Sequence, residues 1–199
     1  MFWDRVSSFY DFFETVYNGK VYRGLGKRVA EEIEQEDIVL ECACGTGAIS
    51  KFIAPKCKQL ITTDLSTGML KQTEKNCKNY RNVIIKRADM TQLKCRSDRF
   101  DKVVAGNVIH LLSEPYAALK ELERVCKPGG KIIIPTYINA SEGVNRKAVR
   151  LLEIAGANFK QQFDIFSYKN FFEKAGYENV SFYIIDGRMP CAVAVITKK

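Results

Sequence analysis

Residues 39–47, VLECACGTG, decide the fold of this chain together with residues 62–66, TTDLS. In the first stretch an apolar run ends at the acidic Glu41 before a glycine-rich turn, and in the second an apolar run ends at Asp64. The interval between Gly47 and Asp64 has room for a helix that crosses over to a neighbouring parallel strand. A closely approachable backbone would then lie beside a carboxylate that can bind ribose hydroxyls. The two stretches therefore predict a site for a ligand with an adenosine-like sugar.

Dinucleotides and S-adenosylmethionine both carry such a sugar, and the spacing of the glycines separates them. A dinucleotide fingerprint, G-x-G-x-x-G, requires a third glycine, but counting from Gly45 gives Gly47 and then Ser50. The pattern reads instead acidic-x-small-x-Gly-x-Gly, with Glu41 first and Ala43 at the small position. It resembles the first motif of the class I S-adenosylmethionine-dependent methyltransferases, in which a glycine is usual where this chain has Ala43. An alanine fits there if its φ angle is negative.

Four further segments resemble that family, in the family's order. DLS at 64–66 leads into a hydrophobic pair, ADM at 88–90 follows an apolar run, and FDKVVAGNVIHL at 100–111 reads as a strand and its loop. LERVCKPGG at 122–130 resembles the helix and turn before the fifth strand. The resemblance covers residues 38–136 and is closest to the small-molecule branch that includes the ubiquinone and menaquinone C-methyltransferases.

The resemblance implies S-adenosylmethionine as cofactor and a role for each matching position. Asp64 would accept from the ribose hydroxyls, although it could also cap a helix. Glu41 would lie near the methionine ammonium, and Asp89 would bind the adenine edge. The expected cofactor contacts are Tyr10, Glu41, Ala43, Cys44, Gly45, Thr46, Gly47, Asp64, Leu65, Met69, Asp89, Met90, Gly106 and Asn107.

The expected reaction is methyl transfer to a small molecule such as a thiol, phenol, amine or quinol. Positioning of the reactants alone can lower the barrier by about 7–11 kcal/mol in well-oriented models, so a catalytic residue is optional. His110 is the single histidine and follows the fourth predicted strand. It is the candidate general base, and the alternative is a residue that only packs in its loop.

Two segments outside the motifs are expected to build the acceptor pocket. Apolar and aromatic residues recur every three or four positions over 2–17, which predicts a helical cap within residues 1–35. Residues 137–166 interrupt the alternation of strands and helices, which predicts an insertion that forms the substrate wall. Packing alone would also explain the aromatic stripe, and peripheral contact with a membrane stays open. The pocket candidates are Phe13, Tyr17 and Tyr137.

Strands and helices alternate along the chain, which predicts an α/β fold of the Rossmann-like three-layer type in a single domain, residues 1–199. The sheet is expected to have seven strands, mostly parallel, with an antiparallel hairpin from 179–185 and 191–197. Helices are expected near 46–54, 67–78, 115–126, 144–156 and 167–175, and the parallel strands near 38–42, 59–63, 83–86, 101–106 and 131–136.

Charge and cysteine content bear on the partners and the location of the chain, for which the cytoplasm is expected. The net charge of +8 is scattered along the chain, so a nucleic-acid partner is not expected, although an RNA or protein methyltransferase remains an alternative. A non-catalytic S-adenosylmethionine-binding protein is the other alternative. The seven cysteines include no C-x-x-C pair, which predicts reduced thiols and no metal site. No apolar run reaches the length of a transmembrane helix, no secretory signal is recognisable, and the oligomeric state is not predicted.

Overall fold

The computed structural model of the chain describes residues 2–139 and 160–199, and of residues 2 and 5–17 it describes the backbone alone. The strands of the described residues are β1 (Ile38–Cys42), β2 (Gln59–Asp64), β3 (Val83–Arg87), β4 (Phe100–Ala105), β5 (Cys126–Tyr137), β6 (Val180–Ile185) and β7 (Cys191–Thr197). They form one sheet in the order β3-β2-β1-β4-β5-β7-β6. The first five strands pair in parallel, and β7 pairs antiparallel with β5 and β6, so the predicted sheet is confirmed.

Helices cover both faces of this sheet. They are α1 (Phe2–Ala30), α2 (Ser50–Ile53), α3 (Thr67–Cys77), α4 (Pro115–Val125) and α5 (Ile165–Lys174). Side chains of α4 and α5 pack on one face, and side chains of α1 and α2 pack on the other. On this second face, α3 contacts α1 and α2. The run of three isoleucines in β5 is buried on both faces of the sheet, since Ile132 and Ile134 join the first layer and Ile133 joins the second. The three-layer prediction is therefore confirmed.

The element bounds differ from the prediction at two turns. Helix α2 starts at Ser50 rather than at 46, because Gly45 and Gly47 have φ angles of 57° and 81°, which a helix does not accept. Strand β5 starts at Cys126, which pairs with Phe100, and residues 127–130 form an irregularity in the strand before the pairing with β4 resumes at Lys131. There the Gly129 N–H donates to the Lys198 carbonyl at 2.8 Å. The helix predicted near 144–156 lies outside the described residues.

Helix α1 is broken at Asn18, which has φ −131° and ψ 23°. The Asn18 side chain donates to the Met189 carbonyl at 3.0 Å and accepts from the Met189 N–H at 3.4 Å. Beyond the break, Val21, Leu25 and Val29 are buried against the sheet. The second half of α1 is thus an integral layer of the fold. Among the described residues, no helix combines the length and apolarity needed to cross a membrane.

Candidate active site

A cavity of about 250 Å³ opens at the carboxyl ends of the central parallel strands, where open α/β sheets bind their ligands. Twelve of the predicted cofactor residues line it: Glu41, Ala43, Cys44, Gly45, Thr46, Asp64, Leu65, Met69, Asp89, Met90, Gly106 and Asn107. The side chain of Tyr10, the thirteenth, lies outside the described residues, as do those of Phe13 and Tyr17. The sequence motifs therefore converge on one cavity.

Gly47 is the predicted cofactor residue that the structure places outside the cavity wall. A Cβ atom on Gly47 would lie 3.2 Å from the Thr73 side chain and 3.3 Å from its Cα atom. Its φ of 81° also falls in the region that favours glycine. Gly47 thus lets the turn after β1 pack closely on α3, while Gly45 faces the cavity.

Ala43 has a positive φ angle, contrary to the expectation from the sequence. Its φ is 53°, in the left-handed region, whereas an alanine was expected to fit with a negative φ. The backbone keeps the conformation for which a glycine is usual in the resembling motif, although a methyl group is present. An L-residue other than glycine carries a penalty of about 1–2 kcal/mol in this region.

Replacing Ala43 with glycine should therefore raise the free energy of unfolding by about 1 kcal/mol, since glycine removes this penalty. Urea unfolding with an unchanged m-value would measure the gain. The matched control is Ala48→Gly, because Ala48 lines the same cavity without a positive φ and should lose stability. Equal losses in both variants would contradict the strain at Ala43.

Glu41 is a buried acid at the tip of β1. It is 1% exposed, and its Oε2 atom accepts from Ser50 Oγ at 2.5 Å and from Thr62 Oγ1 at 3.2 Å. Burial raises the pKa of Glu41 to about 7 against the opposing effect of these two hydroxyls. A cation placed in the cavity would favour the ionised carboxylate, which suits the expected role beside an ammonium group.

Asp64 holds the glycine turn and the start of α3 together. The Gly45 N–H donates to its Oδ2 atom at 2.9 Å, and the Ser66 N–H donates to its Oδ1 atom at 2.8 Å. Burial raises the pKa of Asp64. The capping role left open for Asp64 belongs to Ser66, whose hydroxyl accepts from the Met69 N–H at 3.1 Å.

Asp89 and Met90 follow β3, as the resemblance implied. Asp89 is exposed, and its Oδ1 atom accepts from the Thr91 N–H at 2.9 Å and the Thr91 hydroxyl at 2.7 Å. Met90 is buried in the same wall as Met69. Three carboxylates thus line the cavity, although within the described residues no cluster of His, Cys, Asp or Glu is arranged to hold a metal ion.

Gly106 and Asn107 continue β4 into the cavity. A Cβ atom on Gly106 would lie 2.6 Å from Ile49 Cδ1, so a side chain at this position would require the end of the Ile49 side chain to move. Asn107 has a φ of 52°, which asparagine tolerates better than most residues, and its N–H donates to the Pro135 carbonyl at 2.9 Å. The main chain between β4 and its loop is thereby turned toward the ligand space.

His110 lies in the core behind the cavity wall. It is 5% exposed, its Nδ1 atom is 2.9 Å from Thr136 Oγ1, and it is absent from the cavity lining. Burial lowers the pKa of His110 to about 4, so the ring is neutral near pH 7. Its carbonyl accepts from the N–H groups of Lys160 and Gln161. The role of His110 as a general base stays a prediction.

Tyr137 does not line the cavity but is hydrogen-bonded to Tyr22, which does and which was not among the predicted pocket residues. Its hydroxyl donates to the Tyr22 hydroxyl at 2.7 Å, and Tyr22 rather than Tyr137 lines the cavity. Tyr22 could have been found by extending the aromatic stripe past the break at Asn18. The lining residues missed from the sequence are Trp3, Tyr22, Ala48, Ile49, Ala88, Val108, Leu111 and Leu112.

Comparisons with known proteins agree with this geometry. Residues 40–134 match the profile of a family described as a methyltransferase domain. A demethylmenaquinone methyltransferase of Clavibacter sepedonicus is 35% identical over 134 residues, which are 66% of this chain and 54% of that protein. The chain therefore spans about half the length of that relative. A demethylmenaquinone methyltransferase of Staphylococcus saprophyticus is 25% identical over 200 residues, which are 88% of this chain and 85% of that protein.

A solved structure shows the same fold. The chain superposes on an S-adenosylmethionine-dependent methyltransferase of Thermotoga maritima, described as a possible histamine N-methyltransferase, with a TM-score of 0.75 and 21% identity. The superposition covers 100% of this chain and 99% of the other. The family profile over residues 40–134, the demethylmenaquinone methyltransferase relatives and the arrangement of the motifs around one cavity support a class I S-adenosylmethionine-dependent methyltransferase, and the superposition shows the fold of one.

Proposed function

We propose that the chain is a single-domain methyltransferase that moves a methyl group from S-adenosylmethionine to a small-molecule acceptor. The observation that carries the proposal is the cavity itself, which is lined by Gly45 of the glycine turn and by the three acidic residues Glu41, Asp64 and Asp89. These groups match the donors of the cofactor, namely an ammonium, two ribose hydroxyls and an adenine amino group.

The residues present fit the cofactor at each of its ends. Asp64 and Gly45 would hold the ribose, Glu41 the ammonium, and the apolar side chains of Met69 and Met90 the adenine ring. When bound, S-adenosylmethionine supplies a methyl group on a positively charged sulfur, so the electrophile needs no further activation. The work left to this chain is to bind, to orient the acceptor and to exclude water.

The acceptor would lie against the loop that follows β4. Val108, Leu111 and Leu112 make this wall apolar, and Tyr22, whose hydroxyl accepts from Tyr137, lines the same cavity. Such a lining suits an uncharged ring system, and two of the relatives are named demethylmenaquinone methyltransferases. A quinol or phenol is therefore favoured over an amine or a thiol. Residues 137–166 would complete the wall, and the enzyme would act in the cytoplasm.

One alternative is supported by the net charge of +8, which suits an RNA or protein substrate. The cavity argues against it, because its described lining includes no lysine or arginine side chain. Steeply salt-dependent retention on RNA would favour this alternative. A non-catalytic S-adenosylmethionine-binding protein would bind the cofactor and turn over none of the acceptors.

Calorimetry with S-adenosylhomocysteine and with NAD tests the proposal directly. We expect saturable binding of the first and none of the second, and tight NAD binding without S-adenosylhomocysteine binding would overturn the assignment. A panel of quinols, phenols, amines and thiols then identifies the acceptor and separates an enzyme from a cofactor-binding protein.

Changing Asp64 to alanine should weaken S-adenosylhomocysteine binding by roughly 1.5–3 kcal/mol, which is the scale of hydrogen bonds to a charged group. The variant should also unfold more easily, because the N–H groups of Gly45 and Ser66 lose their acceptor. Calorimetry and urea unfolding measure the two effects. Asp98→Ala is the matched control, since Asp98 is an exposed partner of Lys198 on another part of the molecule and should leave binding unchanged.

Changing His110 to glutamine should slow turnover at pH 7 by less than about tenfold. The ring is buried and its pKa of about 4 makes it a weak proton acceptor, while glutamine can still bond to Thr136. The pH profile of turnover in the unaltered enzyme should likewise show no step near pH 6.5. A loss of about 10²–10⁴-fold in the variant would instead establish His110 as the general base.

A further inference from the structure

The first turn of α1 is fastened to the first turn of α3. The Asp4 carboxylate accepts from the Ser66 hydroxyl at 2.7 Å and from the Gly68 N–H at 2.9 Å, both through its Oδ1 atom. The Gly68 N–H and the Ser66 hydroxyl hold the pKa of Asp4 well below its usual range. The first four N–H groups of a helix have no partner within the helix, so an external carboxylate there is a favourable clamp. These hydrogen bonds join Asp4 to residues that lie at least 62 positions further along the chain.

This clamp sets the position of Trp3, the neighbour of Asp4. Trp3 lines the cavity together with Asp64, Leu65 and Met69, and the latter three come from the end of β2 and the start of α3. The contacts of Asp4 lie in that same segment, at Ser66 and Gly68. Because Asp4 is bonded to the start of α3, the backbone of its neighbour Trp3 lies on the side of the cavity where β2 ends and α3 begins, which is the side assigned to the ribose and adenine.

We propose that Trp3 is a cofactor-binding residue that covers the adenosine part of the ligand, and that Asp4 is the positioning residue that holds it there. This inference rests on the proposed function for the identity of the ligand. The Asp4 carboxylate is bonded within the molecule, so it is not free to face a membrane.

A flat indole suits this place physically. An aromatic side chain stacked on a nucleobase contributes about 1–3 kcal/mol, and it tolerates any base because the contact uses the π-face. The carboxylate of Asp4 needs no partner on the ligand, since Ser66, Thr67 and Gly68 at the start of α3 already supply three donors. In this arrangement Trp3 contacts the ligand, and the adjacent Asp4 holds the start of α1 in place.

The test uses Trp3 as its own reporter, because it is the only tryptophan in the sequence. S-adenosylhomocysteine and 5′-methylthioadenosine should each change the tryptophan emission, with the same Kd that calorimetry gives. L-homocysteine, which carries only the amino-acid end, should leave the emission unchanged. Emission that does not respond while calorimetry detects 5′-methylthioadenosine binding would overturn the role of Trp3.

The role of Asp4 is tested with the same two probes. Asp4→Ala should weaken both about tenfold, and Asp4→Asn, which keeps an acceptor oxygen, should recover part of that loss. Asp186→Ala is the matched control, since Asp186 is exposed and does not line the cavity. Equal affinity of Asp4→Ala and Asp186→Ala would show that Asp4 positions nothing. If neither probe binds the unaltered chain, the proposed function fails, and this inference fails with it.

Discussion

Replacing Glu41 with glutamine is expected to stabilise the free protein above pH 7 and to weaken S-adenosylhomocysteine binding by about 2–5 kcal/mol, the range for removing one partner of a buried charge pair. Both effects follow from the same carboxyl group, which is 1% exposed and hydrogen-bonded only to hydroxyl groups of Ser50 and Thr62 among the contacts that the structure shows. The free protein carries an acid whose charge it stabilises poorly. The ammonium group of a bound ligand would stabilise the ionised form of Glu41.

The sign of the stability effect is set by the raised pKa. Because Glu41 titrates at about 7 in the folded protein and near 4.5 in the unfolded chain, the folded state holds the extra proton between these pH values. Stability contributed by this group is therefore present below pH 4.5 and is lost as the pH rises toward 7, by on the order of 3 kcal/mol. Glutamine cannot ionise, so the advantage of Glu41→Gln should grow over this window.

Binding should depend on pH in the opposite direction. Below pH 7 the ligand must displace a proton from Glu41, so the affinity of the unaltered protein should rise about tenfold between pH 6 and pH 8. The affinity of Glu41→Gln should be flat over this interval. Urea unfolding and calorimetry at pH 5, 6, 7 and 8 measure both quantities on the two proteins. If Glu41→Gln binds S-adenosylhomocysteine as tightly as the unaltered chain at pH 8, Glu41 does not bind the ammonium group of the ligand.

The sheet and the cofactor motifs were predictable because each rests on local sequence. Continuous apolar runs mark strands buried on both faces, and Gly45 and Gly47 mark a turn that no other residue type forms easily. Ala43 shows the limit of this reasoning. An alanine can be held at a positive φ when the surrounding turn requires it, since the penalty of about 1–2 kcal/mol is small beside the stability of a domain.

What the sequence could not reveal depends on contacts between distant residues. The break in α1 falls at Asn18, whose side chain is bonded to Met189, 171 positions away. His110 is buried because Thr136 and the backbone after residue 159 pack around it. The place of Trp3 in the cavity wall depends on the bonds of Asp4 to the start of α3, more than 60 positions away. None of these contacts has a local signature.

Deleting residues 1–17 is expected to leave the sheet folded and to abolish turnover of whichever acceptor the panel identifies. The deletion keeps Asn18 and its bonds to Met189, together with the buried side chains of Val21 and Leu25, so the integral half of α1 remains. It removes Trp3 from the cavity wall and Asp4 from the start of α3. Water would then enter a site whose catalysis depends on orientation, which costs more than about 10²-fold in rate when the geometry is lost.

Far-UV circular dichroism and thermal unfolding test the fold of the shortened chain, while calorimetry and the acceptor assay test its site. Asn18→Ala in the full chain is the complementary variant, because it should lower stability and leave the cavity residues in place. Hydrogen exchange of the unaltered protein adds a second measurement, in which S-adenosylhomocysteine should protect residues 1–18 and 137–166. A shortened chain with full turnover, or a full chain without added protection in either segment, would mean that the acceptor pocket is closed by other parts of the molecule.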